Sequence, residues 1–191
     1  MEELHTFLFY CYAVGDIELI DPLNYKFDAG LLAEDLERFS HGVTLSGDSQ
    51  LSLSNTTDTE DLFEGTGRGI TPSGRLDPES FNRLVPRISG TYTASVIHDL
   101  GWKIGRIRYM FLQPKRCYSM HVDGGKFRYH IPIVSNNQSY AVYADHGCFT
   151  MPELGRLYRM RVDVPHSAIN GGKETRVHLL FDTMPHLSIT P

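Results

Sequence analysis

The chain is poor in the residues that would staple or anchor it. Among 191 residues there are three cysteines, Cys11, Cys117 and Cys148. They are too few and too scattered for a disulfide framework, and no C-x-x-C spacing occurs, which excludes the common zinc-ribbon and dithiol arrangements. All three are expected as small buried apolar residues in a reducing compartment. No apolar run approaches the roughly 20 residues a membrane helix needs. The longest N-terminal one, Leu8–Val14, is short, carries Tyr and Cys, and reads as part of a strand over Leu4–Val14. The opening Met-Glu-Glu-Leu-His lacks the basic start of a secretory signal. A cytoplasmic protein with no membrane partner is expected. Nor is there a basic stripe: the net charge is −5, and a local pair such as Arg106 and Arg108 does not make a nucleic-acid surface.

What is present is the composition of an ordinary globular protein, 41% hydrophobic and 21% charged, which at this length predicts a single domain over 1–191. An N-terminal strand and helix region covers 1–39. Asp28 is placed to cap a helix carrying Leu31, Leu32, Asp35, Leu36 and Phe39 at helical spacing. Residues 40–78 change character. Ser, Thr, Gly and Asp dominate, so a flexible loop is expected there, with a short strand near Gln50–Leu53 and a lid over the functional site as one possible role. Short helices are expected over Asp77–Val85 and Thr93–Leu100.

From about 105 to 182 the pattern turns to period two. Strands are expected at Arg106–Leu112, Tyr118–Val122, Arg128–Val134, Ser139–Tyr143, Arg156–Met160, His166–Ile169 and Arg176–Phe181. Asn170-Gly171-Gly172 reads as a hairpin turn. The fold class is mainly β, a closed or double-sheet antiparallel structure with helices packed outside.

Chemistry concentrates in that β region. His121 and Asp123 stand two residues apart, so on a strand both side chains point to one face. His166 lies 45 positions later (166 − 121), on another strand, and must reach the same point from across the barrel. Two imidazoles and one carboxylate on one side of a metal leave its other side open for co-substrate and dioxygen. That donor set suits Fe(II), with Zn, Mn and Ni also compatible. Arg176 follows His166 by ten positions (176 − 166), at the start of the strand Arg-Val-His-Leu-Leu-Phe-Asp, where it shares a face with His178 and Leu180. A guanidinium inside a barrel needs an anion. A bound carboxylate supplies one, and the bland alternative is an internal salt bridge to Asp163 or Asp182. Arg128 and His130 share a strand face and repeat the logic. Tyr109, Trp102, Tyr140 and Tyr158 are candidate wall residues or plain core.

The ordered set of motifs resembles a known family. Arg106-Ile107-Arg108 with Leu112 to Pro114, His121-x-Asp123, Arg128-x-His130-x-Pro132-Ile133, Gly155-x-Leu157-Tyr158, His166 to Asn170, and Arg176-x-His178-Leu179 to Asp182 are similar to the aspartyl/asparaginyl β-hydroxylases. These are Fe(II)- and 2-oxoglutarate-dependent dioxygenases on a double-stranded β-helix, a jelly-roll or cupin-like fold. The resemblance implies His121, Asp123 and His166 as metal ligands at the catalytic centre. It implies Arg128, His130 and Arg176 as contacts to the co-substrate 2-oxoglutarate. Asp123, where animal members carry glycine, is similar to the proline-hydroxylase-like branch and unlike a halogenase. The expected activity is hydroxylation of an amino acid or of a peptide or protein side chain, with dioxygen consumed and 2-oxoglutarate decarboxylated to succinate. The competing expectation is a cupin-like metal-binding β-barrel that acts without 2-oxoglutarate, as another enzyme or a ligand-binding module.

Overall fold

Apolar residues at alternate positions after residue 105 form strands that are hydrophobic on one side and polar on the other. The computed structural model describes residues 19–45, 50–67, 70–71, 74–100 and 105–182. The expected strand over Leu4–Val14, together with Cys11 and Trp102, lies outside them.

The strands are β1 (Ile20–Lys26), β2 (Gln50–Ser52), β3 (Ser54–Asn55), β4 (Ile70–Thr71), β5 (Gly74–Arg75), β6 (Arg83–Leu84), β7 (Ile107–Leu112), β8 (Arg116–Cys117), β9 (Phe127–Val134), β10 (Ser139–Tyr143), β11 (Gly147–Phe149), β12 (Arg156–Arg161), β13 (His166–Asn170) and β14 (Arg176–Phe181). The helices are α1 (Ala29–Ser40) and α2 (Tyr92–Asp99). A major antiparallel sheet has the order β1-β12-β9-β14-β7-β2, and a minor one the order β11-β10-β13-β8. From β7 onward the chain steps between the sheets at almost every connection, which makes the fold a double-stranded β-helix of the jelly-roll kind.

The major sheet has two unlike faces. Val177, Leu179 and Phe181 of β14, Ile107, Tyr109 and Phe111 of β7, and Tyr129 and Ile131 of β9 bury against Leu32, Leu36 and Phe39 of α1 and Val96 and Ile97 of α2. Each fully buried aliphatic here contributes about 1.5–3 kcal/mol. The alternate residues, among them Met110, Arg128, His130, Arg176 and His178, line a cleft open to solvent whose other wall is the minor sheet.

α1 is capped as expected, with Asp28 Oδ1 accepting from the N–H groups of Gly30 and Leu31 at 2.8 and 3.1 Å. Its apolar stripe differs at one position, because Leu31 faces solvent. Asp35 is buried on the stripe because it accepts from Thr93 N–H at 2.7 Å, and Thr93 Oγ1 in turn bonds the Tyr109 hydroxyl at 2.9 Å. That chain ties both helices to β7. α2 begins at Thr91, whose hydroxyl accepts from Ala94 N–H.

Several expectations are corrected. The helix over Asp77–Val85 is replaced by 3₁₀ turns at Pro78–Ser80 and Pro86–Ile88 with β6 between them. Each proline fixes φ at the start of its turn and the second one breaks the run. Within 40–78 the expected short strand near Gln50–Leu53 is present as β2, and burial runs through residues 51–55. Leu51 and Leu53 are inaccessible, and β2 forms the edge of the major sheet through Gln50↔Met110 and Ser52↔Arg108. Cys117 and Cys148 are exposed, not buried.

Asn170-Gly171-Gly172 does not make a hairpin either, since β13 and β14 belong to different sheets. Asn170 is instead the buried knot of the crossover. Its Nδ2 donates to the carbonyls of Leu112 and Glu174, both at 2.8 Å, and its Oδ1 accepts from Gly172 N–H at 3.0 Å. Gly155 opens β12 at φ +76°, with a Cβ there falling 2.1 Å from the Phe27 carbonyl oxygen, so only glycine fits.

Candidate metal centre

His121 and Asp123 come together by a different local geometry from the one expected. Regular pairing of β8 with β13 reaches Cys117↔Ile169, with Tyr118 N–H donating to Ala168 O at 3.0 Å. It resumes at His121, which exchanges two 2.9 Å backbone bonds with His166. Ser119 and Met120 thus stand opposite Ser167 alone, which is a β-bulge. The expected strand Tyr118–Val122 is therefore short and broken. After His121 the chain turns away, and Asp123 N–H donates to Val162 O at 2.9 Å. Bulge and turn, rather than strand alternation, set the two side chains side by side.

Both imidazoles are oriented by their own backbone. His121 Nδ1 donates to Ser119 O at 2.7 Å and His166 Nδ1 donates to Val164 O at 2.9 Å. A carbonyl only accepts, so each Nδ1 carries a proton and Nε2 is the nitrogen each ring can offer to a metal. Asp123 Oδ2 lies 3.8 Å from His121 Nε2 and 3.6 Å from His166 Nε2. The three potential ligand atoms all fall within 4.8 Å of one another. The His121 side chain, 39% exposed, forms the open side, while His166 is buried. Two neutral nitrogens and one anionic oxygen around one point fit a divalent first-row metal.

Behind Asp123 lies an ion network. Arg128 Nη1 contacts Asp123 Oδ2 at 3.0 Å, and its Nε lies 3.5 Å from Asp182 Oδ1. Asp182 also meets Arg106 Nη1 at 2.9 Å and Arg108 Nη1 at 2.8 Å. Burial alone would raise the Asp182 pKa, but Arg108, Arg128 and Arg106 override it and hold the carboxyl at about 2. Burial likewise pushes Asp123 up, and His166, Arg128 and His121 together bring it below its ordinary value. Burial pulls Arg108 down, opposed by Asp182.

Arg176 is different. It is 5% exposed, its Nε is buried with no hydrogen-bond partner, and among the described residues no carboxylate pairs with it. The two carboxylates expected as its internal partners are taken: Asp163 by Arg161 at 2.7 Å and Asp182 by Arg106, Arg108 and Arg128. Burial lowers its pKa, as it must for a cation without a counter-ion. Of the three expected anion contacts, Arg176, Arg128 and His130 all line the cleft, but Arg128 is already engaged by two carboxylates.

His130 is buried, and its Nδ1 lies 3.3 Å from His178 Nδ1 with the rings in a T-shaped contact. Burial, then the nearby Arg176 charge, lowers both pKa values far below the ordinary histidine range. Both rings are neutral. His178 and Asp182 were not singled out as site residues. Their signal was the period-two series 176, 178, 180, 182 on one strand face. Of the candidate wall tyrosines, Tyr140 lines the cleft, Tyr109 lies in the helix-side core, and Tyr158 is buried with its hydroxyl accepting from Glu153 N–H.

No helix among the described residues is long and apolar enough to cross a membrane. Comparison with curated protein sequences gives no match. Among solved structures, a Pseudomonas putida prolyl-4-hydroxylase is similar at 15% identity over 85% of this chain and 90% of its own, with a TM-score of 0.48. A Burkholderia pseudomallei oxidoreductase of the 2OG-Fe(II) oxygenase family is similar at 16% identity over 83% and 81%, with a TM-score of 0.45. A cupin domain from Bordetella pertussis is similar at 14% identity over 39% and 76%, with a TM-score of 0.34. The family profile described as aspartyl/asparaginyl beta-hydroxylase matches residues 73–185, more than half the sequence, and the chain belongs to that family.

Proposed function

We propose that this protein is an Fe(II)- and 2-oxoglutarate-dependent dioxygenase that hydroxylates an amino acid or a peptide or protein side chain. The observation that carries this reading is Arg176, a buried guanidinium without a carboxylate partner in the same cleft as His121, Asp123 and His166. A metal-binding barrel working without a diacid has no use for such a cation, whose burial is costly until an anion arrives. A dioxygenase needs it, because 2-oxoglutarate has a second carboxylate beyond the end that meets the metal.

His121, Asp123 and His166 would hold the iron. When bound, iron and 2-oxoglutarate supply the chemistry: dioxygen is reduced, 2-oxoglutarate becomes succinate and CO2, and one oxygen atom enters a substrate C–H bond. The chain's own residues do the positioning. The Ser119 and Val164 carbonyls fix both imidazole tautomers. Arg128 holds Asp123 ionised and oriented, and is itself held by Asp182. Arg176 supplies a planar fork for the distal carboxylate.

The test is anaerobic titration of Fe(II)-loaded protein with 2-oxoglutarate, followed by exposure to air. A weak visible metal-to-ligand charge-transfer band and slow uncoupled succinate are expected. If 2-oxoglutarate neither binds nor produces the band, the dioxygenase reading is wrong.

A further inference from the structure

Two buried neutral histidines share one short contact in the cleft, and that contact constrains where their protons lie. His130 Nδ1 and His178 Nδ1 are 3.3 Å apart, so one nitrogen must be a donor and the other a bare acceptor. In a neutral imidazole the remaining nitrogen then has the opposite character. Two arrangements exist. If His130 donates, His178 must carry its proton on Nε2. That atom is buried and has no hydrogen-bond partner. If His178 donates, its Nε2 is bare. A buried N–H without a partner is the rarer and costlier defect. A bare lone pair at the same place is also favoured by the positive field of Arg176, which carries no carboxylate partner among the described residues.

We propose that His178 is a positioning residue: it donates Nδ1–H to His130 Nδ1 and so locks His130 as its Nε2–H tautomer, presenting an N–H donor in the cleft that also holds the Arg176 fork. Nδ1 of His130 is committed to His178, so Nε2 is the nitrogen left for a ligand. The ligand class follows from the pair of donors. A guanidinium and an imidazole N–H together suit a carboxylate, whereas a bare His130 nitrogen would repel one. Burial keeps both rings uncharged, so the donor is supplied without a second buried cation. The geometry is local to the major sheet. Arg176 and His178 lie on one face of β14, and Leu180, next on that face, is in register with His130 of β9.

The carboxylate is taken to be that of 2-oxoglutarate, which rests on the function proposed above. The test therefore has two independent arms. In the first, metal-free protein carrying ¹⁵N-labelled histidine is studied at neutral pH by long-range ¹H–¹⁵N correlation. His130 is expected with its proton on Nε2 and His178 with its proton on Nδ1. The reverse arrangement, or a cationic ring at either position, overturns the proposal. This arm needs only the wild-type fold and no bound ligand.

In the second arm, 2-oxoglutarate is titrated anaerobically into Fe(II)-loaded His178→Leu and His178→Asn proteins. Leucine cannot donate, so binding should weaken about tenfold, the effect of one neutral hydrogen bond. Asparagine places an N–H donor where Nδ1 stood, and binding should return to within about threefold of wild type. Leucine and wild type binding alike overturns the positioning role, as does asparagine failing to rescue while both variants keep the wild-type melting profile. If wild type itself does not bind 2-oxoglutarate, the proposed function falls, and the first arm still decides the tautomers.

Discussion

Replacing Arg176 by methionine should make the protein more stable and less able to bind. Arg176 is buried on the cleft face of β14 with an orphaned Nε and no carboxylate partner among the described residues. Methionine keeps an unbranched apolar stem of similar length and removes the charge. Exchanging buried ionic groups for apolar ones of similar volume raises stability by about 1–4 kcal/mol. For a chain of this size each kcal/mol moves the melting temperature by roughly 2–4 °C. The same substitution removes the charge-assisted contact to the distal carboxylate, a loss of about 2–5 kcal/mol, or roughly 30- to 5,000-fold in affinity. Urea denaturation of the metal-free protein measures the first effect, and anaerobic titration of the Fe(II) form with 2-oxoglutarate measures the second. The opposite signs are the signature. A methionine variant less stable than wild type would mean that Arg176 is already paired. Unchanged 2-oxoglutarate affinity would remove it from the co-substrate site.

Other expectations follow from the same geometry. Asp182 is held at about 2, below the ordinary carboxyl value of 3.8, so its contribution of about 2 kcal/mol is present above about pH 4 and is lost as pH falls toward 2. In Asp182→Asn that part of the acid transition should vanish, and stability at neutral pH should drop by about 3–5 kcal/mol because the buried Arg106 and Arg108 and the half-buried Arg128 lose their common anion. An unaltered acid profile by circular dichroism would refute this. His166→Ala should abolish the Fe(II)–2-oxoglutarate absorption band while the fold survives, since the backbone pairing of residue 166 with His121 does not use the ring. Asn170→Ala should destabilise the protein by about 3 kcal/mol in urea, because the Leu112 and Glu174 carbonyls and the Gly172 N–H lose their buried partner.

Much of the β region was legible in the residues. The strands over 127–134, 139–143 and 176–181 follow from alternation that one apolar face enforces, and the cap at Asp28 from a short oxygen side chain before a helical stripe. The short strand near Gln50–Leu53 follows from Leu51 and Leu53 alternating with serines, but the burial of Ser54 does not, because its hydroxyl bonds the carbonyl of Gly105. A polar residue whose partner lies about fifty positions away carries no local mark of burial.

The candidate site divides the same way. The sequence by itself determined which donors exist: two histidines and an aspartate suited to one metal, and an arginine on the face that 178 and 182 share. These are properties of side-chain chemistry and of period two. Only the tertiary structure decided how charges pair. It sends β13 and β14 to different sheets across Asn170, bulges the chain at Ser119 and Met120, and gathers Arg106, Arg108 and Arg128 on Asp182 while leaving Arg176 without a carboxylate. Pairing between residues about 50 to 76 positions apart is set by strand order and register, which local pattern does not encode.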